Sequence, residues 1–268
     1  MTRAEAPTTE VPDSRSETGR RRPFEGLLAA AQFLTRVPVP GGAYPLERGL
    51  IWFPAVGLLL GGALALADLG LRWLQVSSLL ESTVVVVLLL GLSGALHADG
   101  LMDTCDAVFS HASPERRLEI MRDPRTGAFG VVGLVCVVLL KVAALDSLPS
   151  AARPALVWLA RGLGRWAIVL LATVFPYGRV SGLGAPLKAV ASPRNLMIAS
   201  VLPLVACAVV GPIGILGGVL AALVALGLGK WLMRLLPGLT GDCYGAGCEV
   251  VEAVVWLGGA LVLPRLAL

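Results

Sequence analysis

From Asn195 to Gly229 the chain carries no Asp, Glu, Lys or Arg. Crossing a bilayer once takes roughly 20 apolar residues, so this run is long enough for two passes, and Gly211-Pro212 near its middle reads as the turn between them. Inside lipid a backbone must satisfy its own hydrogen bonds, which makes both passes helical. The same charge-free character recurs from Gly49 to Ala67, Thr83 to Leu96, Thr126 to Leu140 and Trp166 to Gly178. Only 15% of the residues are charged and 56% are hydrophobic, against about 25% charged in a soluble domain. The fold expected is all-α: a polytopic integral membrane helical bundle of about seven transmembrane helices, with six to eight as the range. Spans are placed at about 50 to 69, 82 to 96, 127 to 145, 155 to 175, 196 to 210, 213 to 230 and 249 to 264. Several charge-free runs fall short of a full span and must borrow flanking residues.

Residues 1–23 are polar, rich in Thr, Ser, Glu, Arg and Pro, and lack the apolar core of a signal peptide. They are expected to form a disordered cytoplasmic tail, with residues 24–268 as one transmembrane catalytic domain. Phe24 to Leu34 reads either as an interfacial helix or as an eighth, short span. Basic residues concentrate in alternate connections: Arg20, Arg21, Arg22, Arg36 and Arg48; then Arg116, Arg117, Arg122 and Arg125; then Arg179, Lys188 and Arg194; then Lys230 and Arg234. The opposite connections hold only Arg72 and Arg153. The positive-inside rule puts the basic set and the N-terminus in the cytoplasm and the C-terminus outside. The net charge of +4 is a topology signal and implies no nucleic-acid partner. Five scattered cysteines without a CxxC pair give neither a disulfide framework nor a zinc site.

All polar motifs fall on the basic side. In HADGLMDTCD, residues 97–106, Asp99, Asp103 and Asp106 are spaced i, i+4, i+7, which on a helix aligns three carboxylates in one stripe. Like charges so placed destabilise a helix. A divalent cation removes the conflict, and Mg²⁺ typically takes one or two carboxylates together with substrate phosphate oxygens. A solvated helix face is the plainer alternative. His97 beside the stripe either orients a ligand, moves a proton or makes a structural hydrogen bond.

EIMRDPRTGAFG, residues 119–130, adds Arg122, Asp123 and Arg125 ahead of a glycine turn leading into a span. Guanidinium forks suit phosphate, and a helix N-terminus after a glycine turn offers free N–H groups to an anion. GDCYGAGCEVVE, residues 241–252, supplies Asp242, Glu249 and Glu252 at the start of the last span, where charge is costly and marks function. Arg161 and Arg165, i, i+4 within a span, must face the bundle interior or an acidic partner. Arg36 in FLTRVPVP is either an interfacial anchor or a phosphate contact. The residues alone thus point to phosphoryl-type transfer involving a membrane-associated substrate.

FLTRVPVP, FPAVGLLLG, HADGLMDTCDAVFS, RRLEIMRDPRTGAFG and GDCYGAGCE, in that order, closely resemble the cobalamin synthase family, the adenosylcobinamide-GDP ribazoletransferases, over roughly Phe33 to Glu252. Pro124, Phe129 and Cys243-Tyr244 are small departures. The resemblance implies the last step of cobalamin nucleotide-loop assembly at the bacterial cytoplasmic (inner) membrane. Adenosylcobinamide-GDP and α-ribazole, or its 5′-phosphate, would give adenosylcobalamin, or its 5′-phosphate, and GMP, with Mg²⁺ required. Carried onto this chain, Asp99, Asp103 and Asp106 become the metal ligands and Arg122 and Arg125 the holders of the departing phosphate. Asp106 or His97 is the expected base, Asp123, Asp242 and Glu249 are further metal or substrate contacts, and Arg36 is a further substrate contact. Other cobalamin-assembly enzymes are conceivable partners at the cytoplasmic loops. Two rival readings are a CDP-alcohol phosphatidyltransferase, whose Ala-Arg pair and distal DxxxD are missing here, and a transporter with an acidic ion site, for which no inverted repeat is visible.

Overall fold

The computed structural model describes residues 24–266; the expected tail, residues 1–23, lies outside them. Among the described residues the regular structure is helical, with one isolated backbone bridge between Tyr177 and Leu239. The helices are α1 (Glu25–Leu34), α2 (Phe53–Trp73), α3 (Ser78–Ser93), α4 (Leu96–Val108), α5 (Pro114–Ile120), α6 (Ala128–Asp146), α7 (Arg153–Val174), α8 (Ala185–Val190), α9 (Pro193–Val210), α10 (Pro212–Leu232) and α11 (Gly241–Leu266). Six of them are long and apolar enough to cross a membrane: α2 with its preceding 3₁₀ turn, α6, α7, α9, α10 and α11. The bent pair α3 and α4 makes a seventh when the two helices are counted as one span. The chain is thus a multi-pass membrane helical bundle, and the Gly211-Pro212 turn falls where the sequence puts it. At ten residues, about 15 Å, α1 is too short for an eighth span; it buries Ala29, Ala30 and Leu34 against the 3₁₀ turns and α2.

Charge placement decides which helix is central. In α7, 83% of the apolar window is buried, against 22% in α6 and α9 and 28% in α10, which present most of their surface outward. Arg161 and Arg165 could not face lipid, so α7 occupies the middle, where acidic partners wait. Close approach makes room for this. Gly57 and Gly61, one turn apart on α2, lie against α7, and a Cβ at either would run into the carbonyl of Arg161 or of Trp158. This is a small-xxx-small contact of the kind that lets membrane helices pack backbone to backbone.

Sequence periodicity suggests that the span at 82 to 96 continues straight into the acidic stripe. Instead the chain turns by 92° between α3 and α4. Gly94 and Ala95 both take left-handed backbone angles, φ 58° and 56°. Glycine is needed at the first because the Arg36 side chain lies where its Cβ would be; alanine at the second costs roughly 1–2 kcal/mol. The bend sends α4 back into the bundle between α6 and α11. It buries His97, Ala98, Gly100, Leu101, Thr104 and Cys105, leaves Asp99 exposed, and leaves Asp103 and Asp106 half-buried.

The last helix also differs from expectation, starting at Gly241 rather than near 249. The Thr240 hydroxyl accepts from the Cys243 N–H at 3.3 Å, an N-cap that begins the helix early. Asp242 therefore sits in the first turn of α11. The basic connections meet at this end of the bundle: Arg117 donates to the Leu235 carbonyl (3.1 Å), the Gly178 N–H to the Leu239 carbonyl (2.8 Å), and Lys188 to the Ala172 and Phe175 carbonyls that end α7 (both 2.8 Å). At the opposite end Arg153 is buried, donating to Asp68 (2.7 Å), Ser82 (2.9 Å) and the Leu145 carbonyl (2.9 Å).

Candidate active site

Helices α4 and α11 cross at glycines. A Cβ on Gly100 would lie 2.8 Å from the Asp242 carbonyl oxygen, and one on Gly245 would lie 3.2 Å from the His97 backbone. Gly100 thus has its explanation in helix contact, and the contact places Asp242 beside the acidic stripe. Asp99 and Asp242 line one cavity of about 320 Å³. Asp103, one turn along α4, lies within electrostatic reach of both, and of Arg179. Arg122 enters from the α5–α6 connection, Arg179 and residues 181–184 from the α7–α8 connection, Tyr244 from α11 and Phe33 from α1. Arg179 pairs with Asp242 Oδ2 at 3.0 Å, and the Thr240 hydroxyl donates to the same oxygen at 3.2 Å. Among the described residues, three buried polar atoms on residues of the wall have no partner: His97 Nε2, Arg179 Nε and the Tyr244 hydroxyl. An orphaned buried polar atom is expensive unless a ligand satisfies it, so the cavity suits a molecule with several oxygens.

The remaining sequence candidates are placed elsewhere. Asp106 accepts the N–H of Gly127 and of Gly130, both at 2.8 Å. The anion site expected at the start of α6 is therefore occupied by the protein's own carboxylate, and the glycines of TGAFG are there because a Cβ at either would strike it. Asp123 and Arg125 pair with each other (2.6 and 2.9 Å) outside the cavity wall, with Arg125 exposed. That contact holds the Asp123 carboxyl down at about 2. Arg36 lies over Gly94 at the α3–α4 bend and does not line the cavity. Glu249 is buried below it, bonded to Lys141 at 2.5 Å.

Glu249 belongs to an ion cluster wholly inside the bundle. Glu252 accepts from Lys141 (2.8 Å), from Arg161 (2.6 and 2.9 Å) and from Arg165. The expectation that Arg161 and Arg165 face an acidic partner is met, and that partner is Glu252. Arg165 also reaches His97 Nδ1 at 3.3 Å, connecting the cluster to the cavity. Nothing in the local sequence marks Lys141, which follows the charge-free run ending at Leu140 and has no adjacent acidic residue. Arg179 and Tyr244 are equally unmarked as site residues in the sequence: each reads locally as a topology charge or a loop aromatic, and only the meeting of connections reveals it.

Among the described residues no three His, Cys, Asp or Glu side chains are already gathered around one point. The expected trio is not assembled, because Asp106 lies two turns from Asp99 and is turned to α6. Mg²⁺ needs only one or two carboxylates with water and phosphate oxygens, and Asp99, Asp103 and Asp242 beside a cavity with two arginines meet that demand.

The sequence profile of a family described as cobalamin-5-phosphate synthase matches residues 26–260. The chain belongs to this family. Among its relatives is the adenosylcobinamide-GDP ribazoletransferase of Stutzerimonas stutzeri, 41% identical over 89% of this chain and 99% of that protein. Proteins of the same description from Ectopseudomonas mendocina (44% identical; 87% and 98% covered) and Synechocystis sp. (39%; 89% and 95%) are also similar. No solved structure matches the chain. Membership in this family leaves no place for the phosphatidyltransferase and transporter readings.

Proposed function

We propose that this membrane protein transfers the adenosylcobinamide phosphate group from adenosylcobinamide-GDP to α-ribazole or α-ribazole 5′-phosphate, the final step of cobalamin nucleotide-loop assembly. The ribose 3′-hydroxyl attacks the phosphorus bonded to cobinamide, the P–O bond to GMP breaks, and GMP leaves with the bonding pair. The observation that carries this reading is the cavity where the α4–α11 crossing brings carboxylates to face Arg122 and Arg179, in a chain similar to ribazoletransferases along almost its whole length.

Phosphoryl transfer of this kind depends mostly on positioning and on neutralising charge. Asp99 and Asp103 would hold Mg²⁺, which when bound neutralises charge on the pyrophosphate. Arg122 and Arg179 clamp the phosphates, Arg122 toward the GMP side. Asp242 takes the hydroxyl proton on Oδ1, because Arg179 and Thr240 both use Oδ2. Phe33, Ile168 and Leu187 on the cavity wall exclude water that would otherwise hydrolyse the donor. The protein works in a bacterial cytoplasmic membrane with its N-terminus and this cavity on the cytoplasmic side, as the basic connections at that end support.

The protein in liposomes, given adenosylcobinamide-GDP, α-ribazole and Mg²⁺, is expected to release adenosylcobalamin and GMP in equal amounts, followed by chromatography. Chelation with EDTA should abolish both. Absence of product would refute the transferase reading, and full activity in EDTA would refute the metal.

A further inference from the structure

Of the titratable groups on the cavity wall, His97 is the one whose hydrogen-bonding role the surrounding chain dictates. It is 2% exposed. Its Nδ1 lies 3.3 Å from an Arg165 terminal nitrogen, and a guanidinium has donors only. Nδ1 must therefore be the acceptor, and a neutral imidazole that accepts at one nitrogen carries its hydrogen on the other. That nitrogen, Nε2, is buried and has no partner among the described residues, on a residue that lines the cavity. Arg165 cannot withdraw: Glu252 accepts from it, and the same carboxylate is bonded to Arg161 and Lys141.

We infer that His97 acts as a hydrogen-bond donor through Nε2–H to a phosphate oxygen of the substrate, its tautomer locked by Arg165, and that it does not act as the base. The identity of that oxygen rests on the transferase reading above; the tautomer does not. Both lone-pair positions are closed: one nitrogen bears a proton and the other faces an arginine. A proton on Nδ1 would set two N–H groups head to head. The bonded cluster behind His97 holds Lys141, Arg161 and Arg165 against Glu249 and Glu252, leaving one positive charge in excess, fully buried. Such an excess polarises the Nε2–H bond and draws an oxyanion to the floor of the cavity, where low dielectric strengthens the contact. Arg165 is thus a positioning residue that reaches the substrate through His97.

The chain has only two histidines, His97 and His111, which makes a direct test practical. Full-length His111→Gln protein, labelled with ¹⁵N-histidine and held in detergent, is expected to show one imidazole protonated at Nε2 and bare at Nδ1. Added inorganic pyrophosphate should shift the Nε2 signal. Arg165→Met should release the lock and mix the two tautomers. A spectrum protonated at Nδ1 in the Arg165-containing protein, or an Nε2 signal indifferent to pyrophosphate, overturns the inference whether or not the protein makes adenosylcobalamin. In the activity assay, His97→Gln, which keeps an N–H near the Nε2 position, should retain activity within about tenfold, whereas His97→Ala should fall about a hundredfold, the usual cost of losing one oxyanion donor. If both variants unfold like the parent and both are equally inactive, the donor role is wrong.

Discussion

Asp106→Asn separates two readings of the acidic stripe. In the structure this carboxylate accepts two backbone N–H bonds at 2.8 Å from the first turn of α6. Bonds to a charged group contribute about 1.5–3 kcal/mol each, and a negative charge at a helix N-terminus adds about 0.3–1 kcal/mol. Asparagine keeps one acceptor oxygen but turns an N–H₂ toward the second N–H and removes the charge. The expected loss is about 2–3 kcal/mol. Alanine, which keeps neither bond, should lose more. The assay is unfolding of the detergent-solubilised protein, followed by tryptophan fluorescence, alongside turnover measured well below the midpoint. Asp106→Asn is expected to lower the unfolding midpoint while retaining most of its turnover. Asp99→Asn, which disturbs a residue on the cavity wall with no cation bonded to it among the described residues, should do the reverse: unchanged unfolding and turnover reduced about a hundredfold or more. If Asp106→Asn instead unfolds like the parent and has no turnover at saturating substrate, Asp106 belongs to the reacting centre and its assignment to α6 fails.

Glu252→Gln should strand Arg161 and Arg165 as buried, uncompensated charges and cost about 3–5 kcal/mol, read as lost yield of folded protein; a variant of parental stability would show that the cluster is not charged as drawn. Gly57→Leu should drive α2 away from α7, since even a Cβ there meets the Arg161 carbonyl. A destabilisation of at least about 1–3 kcal/mol is expected, and none at all would contradict the close α2–α7 approach. Arg179→Ala removes one phosphate clamp and the partner of Asp242, so the KM for adenosylcobinamide-GDP should rise about tenfold or more; an unchanged KM places the phosphates elsewhere.

Much of this architecture is legible in the chain because lipid makes a simple demand. Charge-free runs long enough to cross must be helices, and Gly211-Pro212 must divide the longest of them, so the approximate place of most spans follows from local composition. The stripe, the TGAFG turn and the last acidic motif are also readable, because each lies within a few consecutive residues. Their partners are not. Asp106 looks equivalent to Asp99 and Asp103 by spacing, yet α6 returns to it and takes both its oxygens. Glu249 and Glu252 follow Asp242 closely in sequence, but about two and three helix turns deeper they meet Lys141, Arg161 and Arg165 and leave the cavity to Asp242. The bend at Gly94-Ala95 has no hydropathy signature, since it is a matter of two backbone angles, with the Arg36 side chain lying over Gly94. By itself, then, the sequence determined a polytopic helical enzyme with its polar chemistry on one face. Only the tertiary structure decided which charges reach the cavity and which spend themselves on one another, because that depends on helices distant in sequence crossing within a few ångströms.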